Sequence, residues 1–196
     1  SVLWVFWTYG QELPDYSQLA RYEPPVATRI HAGNGALLAE FATQKRVFVP
    51  TKAIPPMLIE AFLSAEDKSF YSHVGVDPVA LARAVATNIA AIGSGRRLIG
   101  ASTITQQVAK NFLLTNEVSV DRKIKEAILA IRMERAFSKD QILALYLNEI
   151  YLGSGSYGVA AAALNYFDKA LGQLDLHEVA YLAALPKAPS NYHPMR

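Results

Sequence analysis

The sequence predicts a mainly α-helical domain with a small β-hairpin near its start. From Pro55-Pro56 onward, capping signals and apolar stripes recur almost to the end of the chain, which is typical of consecutive helices. Before that point, an Asn34-Gly35 dipeptide separates two apolar runs, and this is a strong hairpin signal. With 196 residues, 52% of them hydrophobic, the chain is long and apolar enough to bury one ordinary core.

The first 25 residues are predicted to precede the folded domain. Residues 2–7 are apolar and aromatic, but six residues cannot span a bilayer, which needs about 20. We expect residues 1–10 to be the end of a transmembrane helix, and an apolar N-terminal strand is the alternative. Residues 11–25 contain three prolines and are predicted to be a linker, followed by one domain over residues 26–196.

The elements of this domain are predicted in chain order from their local signals. The hairpin is predicted to pair residues 26–30 with 36–41, and residues 46–49 are predicted to add a short strand. The first helix is predicted from Met57 to about Tyr71, and the others are predicted to reach about residues 93, 112, 131, 153, 167 and 185. Most helix starts carry a capping residue or capping box, namely Asp77 with Pro78, Thr103 with Gln106, Asp121, Ser138 with Gln141, and Asp175 with Glu178.

Composition excludes several kinds of site. The net charge is only +2, so the chain as a whole does not resemble a nucleic-acid-binding protein, and no nucleic-acid partner is expected. Cysteine is absent, which excludes a disulfide framework and a cysteine-ligated metal site. Any electrostatic function must therefore come from local clusters.

A first candidate site lies at the end of the first predicted helix. Two adjacent acids, Glu66 and Asp67, are followed by Phe70 and His73. Paired carboxylates beside apolar side chains suit proton transfer. A solvated helix end with an Asp67–Lys68 surface pair would explain the same residues, so the segment alone leaves both interpretations open.

A second candidate segment, residues 100–111, gathers a glycine, three hydroxyls and two side-chain amides at a predicted helix start. Exposed backbone N–H groups at such a start favour anionic oxygens. The polar side chains predicted to share one helix face are Thr103, Gln107, Lys110 and Asn111. A capping box followed by a solvated face is the alternative interpretation.

A third segment is basic. Between residues 93 and 125 the only acids are Glu117 and Asp121, and this local excess of positive charge indicates an anionic partner such as phosphate, pyrophosphate or an anionic membrane surface. The basic residues are Arg96, Arg97, Lys110, Arg122, Lys123 and Lys125. Arg122 and Glu126 are spaced as a helix ion pair, although in the weaker of the two orientations.

Together and in this order, the segments resemble glycosyltransferase family 51, the peptidoglycan glycosyltransferases of class A penicillin-binding proteins and of monofunctional enzymes. The family patterns are Glu-Asp-x-x-Phe-x-x-His-x-Gly, met over residues 66–75, Gly-x-Ser-Thr-Ile-Thr-Gln-Gln over 100–107, and Arg-Lys-x-x-Glu over 122–126. Tyr-Leu-Asn at 146–148 and Leu-Pro-Lys-Ala-Pro-Ser at 185–190 follow. The resemblance covers about residues 26–196, and the hairpin and linker are similar to the 1A type of class A protein.

The resemblance implies a lysozyme-like, two-lobed fold whose smaller apolar lobe, with residues 79–99, associates with the membrane. It implies lipid II and the growing glycan strand as substrates, at the outer face of the bacterial cytoplasmic membrane. The acceptor's 4-hydroxyl would displace polyprenyl pyrophosphate with inversion to give a β-1,4 link. This chemistry has room for a divalent cation, Mg²⁺ or Mn²⁺, at the pyrophosphate, but no residue in the sequence requires one.

The resemblance also implies roles for individual residues. Glu66 is expected to be the base, supported by Asp67. Glu126 is expected to be a second essential carboxylate, which either orients nearby cations or assists with the pyrophosphate or its metal. Phe70 and His73 are expected to shape the site. Binding of the substrate or its pyrophosphate is expected from Ser102, Thr103, Gln106, Gln107, Lys110, Asn111, Arg122, Lys125 and Tyr166.

One position departs from the family pattern. Asp168 follows Tyr166-Phe167, where family members usually have glycine. Aspartate tolerates a left-handed backbone conformation better than most residues, so we expect a modest local effect.

Two rival functions remain at this point, a lysozyme-like glycoside hydrolase and a non-catalytic module that binds peptidoglycan or membrane. A neutral sugar leaving group would not need the cationic and amide-rich segments, and a binding module would not need Glu66 and Glu126 together. No Ser-x-x-Lys motif of a transpeptidase nucleophile occurs in the sequence. From the proline-rich end we expect the chain to belong to a longer, bifunctional protein with a C-terminal transpeptidase domain.

Overall fold

The structure, a computed structural model, describes residues 9–10, 13–17, 19, 28–31, 33, 37–41, 45–92, 100–114, 117, 119–189 and 192. Across these residues seven α-helices and four short strands occur, which confirms the predicted mainly α fold with a hairpin. The helices are α1 (Pro56–Glu66), α2 (Pro78–Ala90), α3 (Ile104–Leu113), α4 (Val120–Ala136), α5 (Lys139–Glu149), α6 (Val159–Phe167) and α7 (Leu176–Ala184). The strands are β1 (Thr28–His31), β2 (Leu37–Phe41), β3 (Lys45–Arg46) and β4 (Ser156–Tyr157).

The chain divides into two compact units. Unit 1 comprises Ser1–Ala20 and Glu66–Ile142, and unit 2 comprises Arg21–Ala65 and Leu143–Arg196. The predicted transmembrane end falls largely on residues 1–8, which lie outside the described residues. In the part of the chain that the structure describes, no helix is both long enough and apolar enough to cross a membrane.

Unit 1 is built around helices α3 and α4, which pack against each other. Their buried side chains form its core, namely Ile104, Val108, Ala109 and Leu113 from α3 and Ile128, Leu129, Ala130 and Met133 from α4. Gly75 lies against the α4 backbone with φ of +98°, and a Cβ there would lie 2.6 Å from the carbonyl oxygen of Ala130. Only glycine accommodates both this backbone conformation and this close approach.

Unit 2 contains the hairpin and a second, smaller pairing. Strands β1 and β2 are antiparallel, while the predicted Asn34-Gly35 turn lies outside the described residues. Strand β3 pairs in parallel with β4, about 110 residues later in the chain, which the sequence did not predict. The predicted strand at residues 46–49 is wrong beyond Arg46. There the backbone of Val49 bonds a side chain instead: its N–H donates to Asn148 Oδ1 at 2.7 Å, and its carbonyl accepts from Asn148 Nδ2 at 2.9 Å.

Three local predictions about helix boundaries are wrong, and in one of them α5 ends at Glu149 rather than at Gly153. Helix α1 ends at Glu66 rather than near Tyr71, because the chain then turns twice so that Phe70 and His73 become buried. Helix α4 is capped by Ser119, whose hydroxyl accepts a hydrogen bond from the Arg122 N–H at 3.1 Å, and not by Asp121. Both residues suit a helix start, and Asp121 lies within the first turn, where a negative charge is favoured by the helix dipole.

The predicted cap of α2 forms and has a consequence for pH. Hydrogen bonds from the Ser69 hydroxyl, and from the backbone N–H groups of Ala80 and Val79, lower the pKa of Asp77 below its usual value. Since the folded-state pKa lies below the unfolded value of about 3.9, ionised Asp77 stabilises the fold above that pH, and this stabilisation is lost as the pH falls through the folded pKa.

We therefore expect Asp77→Asn to be less stable than wild type near pH 7, and the difference to shrink as the pH falls from about 5 through the folded-state pKa of Asp77. Urea unfolding at a series of pH values measures this. Glu60→Gln is the matched control, because Glu60 is an exposed acid in the middle of helix α1 and caps no helix. A stability difference between Asp77→Asn and wild type that stays constant across this range would contradict the assignment.

Asp168 adopts the left-handed conformation expected for the position where relatives usually have glycine. It is the C-cap of α6, with φ of 54° and ψ of 37°. We expect Asp168→Gly to raise the free energy of unfolding by about 0.5–1 kcal/mol, and Asp168→Val to lower it by about 1 kcal/mol, because a β-branched side chain tolerates this region least. Urea denaturation checks both, with Asp168→Asn as a near-neutral control. A glycine variant no more stable than wild type would rule out backbone strain at this residue.

Candidate active site

The loop after α1 is tied to the start of α3 through Asp67. The Asp67 side chain is buried, and its Oδ2 accepts a hydrogen bond from the Ile104 N–H at 3.0 Å and lies 2.9 Å from His73 Nε2. The Gly75 N–H donates to Nδ1 of the same imidazole at 3.1 Å, so the ring proton belongs on Nε2 and is donated to Asp67. Both imidazole nitrogens are thus occupied within the loop, which favours a shaping role for His73 over proton transfer.

Glu66, the last residue of α1, is half-buried and is oriented by an amide from α3. The Gln107 Nε2 donates to Glu66 Oε2 at 2.8 Å. A carboxylate that accepts a hydrogen bond from a fixed amide is held in one orientation. The structure therefore brings together two of the residues that the sequence singled out, although they are 41 positions apart.

The predicted polar face of α3 is divided. Thr103 and Gln106 form the predicted capping box, and the Thr103 hydroxyl also donates to the Gly75 carbonyl at 2.6 Å. Both side chains are buried, and their polar groups are used in the helix cap and in the contact with Gly75. Gln107 is half-buried, and Lys110 and Asn111 are exposed further along the helix.

Glu126 lies on α4 between two cations. Its side chain is 2% exposed, its Oε2 accepts a hydrogen bond from Arg122 Nη1 at 2.8 Å, and its Oε1 accepts one from Lys123 Nζ. The Lys123 ammonium also donates to the Ser102 hydroxyl at 2.6 Å. The Arg122 Nε is buried without a hydrogen-bond partner among the described residues. A buried, unsatisfied donor costs free energy, and an anionic ligand oxygen would remove that cost.

The remaining predicted residues lie as follows. Lys125 is half-buried on α4, and Phe70 is buried, with its ring edge-to-face against His73 at 6.0 Å between centroids. Tyr166 belongs to unit 2, where its hydroxyl donates to the Leu152 carbonyl at 2.8 Å. Its role at the site stays a prediction, as do the roles of the other residues.

Sequence reasoning gave Lys123 no role at the site, although it was counted among the local cations. Its ammonium is one of the two that neutralise Glu126 and joins that glutamate to Ser102. The signal was present, because a lysine three residues before a glutamate lies on the same helix face.

The buried carboxylates do not fit a metal ion held by the protein. Both oxygens of Glu126 accept from cations, and the Oδ2 of Asp67 is engaged by His73 and Ile104. A divalent cation would have to displace these partners, and hard cations prefer oxygen ligands that lie free of nearby positive charge. In unit 2, Asp175, His177 and Glu178 are clustered, but the Lys169 ammonium already bonds both carboxylates.

A cavity of about 490 Å³ opens in unit 1, between helices α4 and α5 and the loop after α1 (residues 67–77), which we call the motif loop. It is lined by residues 71–74 of the loop and by residues of α4 and α5 that include Glu134 and Lys139. Neither Glu66 nor Glu126 lines it, so it is separate from the carboxylate and cation clusters described above.

Comparison with known proteins decides the family. A family described as transglycosylase matches residues 34–196. The chain belongs to the transglycosylase family. The predicted family, and with it the predicted glycosyltransferase activity of this domain, is thereby confirmed, and nothing in the comparison supports the hydrolase or the binding module.

Several curated relatives are penicillin-binding proteins 1A. The chain is 57% identical to that of Rickettsia felis over 193 residues, which is 98% of this chain and 24% of the relative. It is 50% identical to that of Aquifex aeolicus, over 94% of this chain and 25% of the relative. It is 47% identical to that of Escherichia coli K12, over 94% of this chain and 21% of the relative. The chain thus spans about a quarter of the length of these transglycosylase relatives.

A crystal structure of penicillin-binding protein 1A from Haemophilus influenzae is also similar. It matches 89% of this chain and 16% of that protein with a TM-score of 0.43 and 28% identity.

Proposed function

We propose that this transglycosylase domain polymerises lipid II into β-1,4-linked glycan strands. The growing strand is the donor and lipid II is the acceptor. The acceptor's 4-hydroxyl attacks the anomeric carbon of the donor as the bond from that carbon to the pyrophosphate breaks. The hydroxyl proton passes to the protein, polyprenyl pyrophosphate leaves, and the configuration at the anomeric carbon inverts.

The observation that carries the proposal is the pairing of two different carboxylates within unit 1. Glu66 is half-buried and bonded to an amide, whereas Glu126 is buried and neutralised by two cations. A group that must accept a proton should not be held between two fixed cations, so Glu126 is poorly suited to be the base and Glu66 is assigned that role. Two environments thus give two carboxylates two roles, which is a common arrangement in acid–base catalysis.

The cations of α4 suit the leaving group. Polyprenyl pyrophosphate gains negative charge as the sugar bond breaks, and fixed donors directed at that charge lower the barrier. Arg122 is anchored by Glu126 through one nitrogen and keeps its buried Nε for another acceptor, while Lys110 and Lys125 extend the positive charge. A planar guanidinium also matches phosphate geometry. Cationic side chains thus carry the leaving-group charge, and no step needs a metal.

Helix α2 suits contact with the membrane from which a lipid-linked substrate comes. Its exposed apolar side chains are Val79, Leu81, Val85 and Ile89, and Ile92 follows directly after the helix. An apolar helix face this exposed is unusual for a domain surrounded by water. In the whole protein we propose a membrane anchor, a C-terminal transpeptidase domain and a location on the outer face of the bacterial cytoplasmic membrane.

Incubation of the chain with labelled lipid II in detergent tests the proposal. The expected product is a ladder of glycan that lysozyme digests, with release of polyprenyl pyrophosphate. Intact lipid II together with cleavage of preformed glycan would instead establish a hydrolase. Lipid II that is bound but neither polymerised nor cleaved would indicate a binding module.

A further inference from the structure

A partly buried ion pair lies against the loop after α1, apart from Glu66 and Glu126. The Lys139 ammonium donates to the His73 carbonyl and to Glu134 Oε1, each at 2.7 Å, and it lies 4.5 Å from the centre of the Phe70 ring. The same Glu134 oxygen accepts a hydrogen bond from the Thr105 hydroxyl at 2.6 Å. The side chains of Lys139 and Glu134 are only 19% and 7% exposed. We call these residues, Phe70, Thr105, Glu134 and Lys139, the Lys139 cluster.

We propose that Lys139 and Glu134 are positioning residues that fix Glu66 in its reactive orientation. This inference rests on the proposed function, in which Glu66 is the base. Neither residue touches Glu66. They act on it through two series of hydrogen bonds, one ending at Asp67, the next residue in the chain, and one ending at Glu66 itself. Two routes lead from the cluster to that carboxylate, one through the loop and one through helix α3.

The first route runs through the loop. Lys139 holds the His73 carbonyl, and the imidazole of the same residue donates to Asp67, which directly follows Glu66 in the chain. Asp67 in turn accepts a hydrogen bond from the Ile104 N–H at the start of α3. Lys139 therefore fixes the far end of the loop whose near end carries the base.

The second route runs through α3. Glu134 holds the Thr105 hydroxyl, and two residues further along that helix Gln107 donates to Glu66 at 2.8 Å. This hydrogen bond fixes α3 relative to α4, and it thereby fixes the position of the Gln107 side-chain amide. Because both routes start at one ammonium–carboxylate pair, loss of the pair releases the loop and the helix together.

Stability alone does not account for this pair. Burying two charges costs about as much as their attraction returns, and apolar residues of similar volume in their place often leave stability unchanged or improved. A buried ion pair does, however, require one geometry, which apolar side chains do not. The pair is therefore better explained by the precision that it gives to the segments on either side of it.

The experiment separates positioning from mere stabilisation. Lys139→Met alone is expected to destabilise the fold, because it leaves the Glu134 carboxylate, whose side chain is only 7% exposed, without its cation. The double variant Glu134→Leu/Lys139→Met is expected to unfold close to the wild-type temperature, yet to polymerise lipid II with kcat lowered about 10- to 100-fold and KM changed less than about threefold. Lys139→Arg is expected to recover part of kcat. Arg135→Met, at an exposed cation next to Glu134, is the matched control and is expected to keep wild-type kcat.

A double variant with wild-type stability and wild-type kcat would overturn the proposal. Hydrogen exchange of the Ile104 and Gly75 amides gives a second measurement that needs no substrate. Both amides are expected to exchange faster in the double variant, because the loop that accepts their bonds is released, and unchanged rates would also overturn the proposal. Were the wild-type chain inactive on lipid II, the proposed function would fail, whereas these exchange rates would still decide whether the cluster positions the loop.

Discussion

Polymerisation of lipid II should fall by about 10²- to 10⁴-fold in Glu66→Gln, because glutamine has the shape of the glutamate but cannot take the acceptor's proton. The Gln107 amide can still donate to the new carbonyl oxygen, so the local geometry at 2.8 Å should survive. The loss should therefore appear in kcat, with KM for lipid II changed little, since the removed interaction forms only as the proton moves. Steady-state kinetics with labelled lipid II measures both constants.

Glu60→Gln supplies the matched control for this variant. Glu60 is an exposed acid on the same helix α1, so its replacement changes the charge by the same amount without touching the candidate site. Wild-type kinetics are expected from it. Normal polymerisation by Glu66→Gln would show that another group is the base, while leaving the membership of the transglycosylase family untouched.

The parts of the fold that the sequence predicted are those whose cause is local. The capping box of Thr103 and Gln106, the Asp77 cap with Pro78, and the left-handed Asp168 each depend on a few neighbouring residues. Such signals place helix starts well because the interacting groups lie within one turn of each other. Where two capping residues compete, as Ser119 and Asp121 do, the local signal cannot choose between them, and the prediction failed there.

Contacts between distant segments could not be predicted in this way. The bond from the Ile104 N–H to Asp67 joins residues 37 positions apart, and the bond from Lys139 to the His73 carbonyl joins residues 66 apart. These contacts end helix α1 early, because they hold the loop in turns that bury Phe70 and His73. Likewise, Glu134 and Lys139 look like ordinary surface charges in the sequence, and only the tertiary structure shows them partly buried as a pair.

The motifs of the candidate site were recognisable for a different reason. Each combines residue types that a chemical step needs, so Glu66, Glu126 and Arg122 could be selected without knowing their contacts. The residues alone left the division of roles between the two glutamates open, and only the family resemblance implied it. The structure adds that Glu126 is held between two cations, which makes it poorly suited to accept a proton.

The second large effect is expected from Glu126→Gln, for a reason unlike that at Glu66. The substitution removes the negative charge that separates Arg122 from Lys123 and leaves two cations without their buried partner. We expect the free energy of unfolding to fall by about 1–3 kcal/mol. This is less than the full cost of breaking a buried ion pair, because the Lys123 side chain is 46% exposed and can reach water. Polymerisation should fall by at least about 100-fold, because the cations no longer hold the positions that the pyrophosphate needs.

A further variant separates the two consequences of losing Glu126. Lys123→Gln/Glu126→Gln removes one cation together with the anion, so part of the stability lost in Glu126→Gln should return, as urea denaturation would show. Polymerisation should not return, since Arg122 still lacks the carboxylate that anchors its Nη1. Glu117→Gln, at an exposed acid shortly before α4, is the matched control and should leave both properties unchanged. Recovery of polymerisation in step with stability would mean that Glu126 serves the fold alone, and that the cations need no anchor to act on the leaving group.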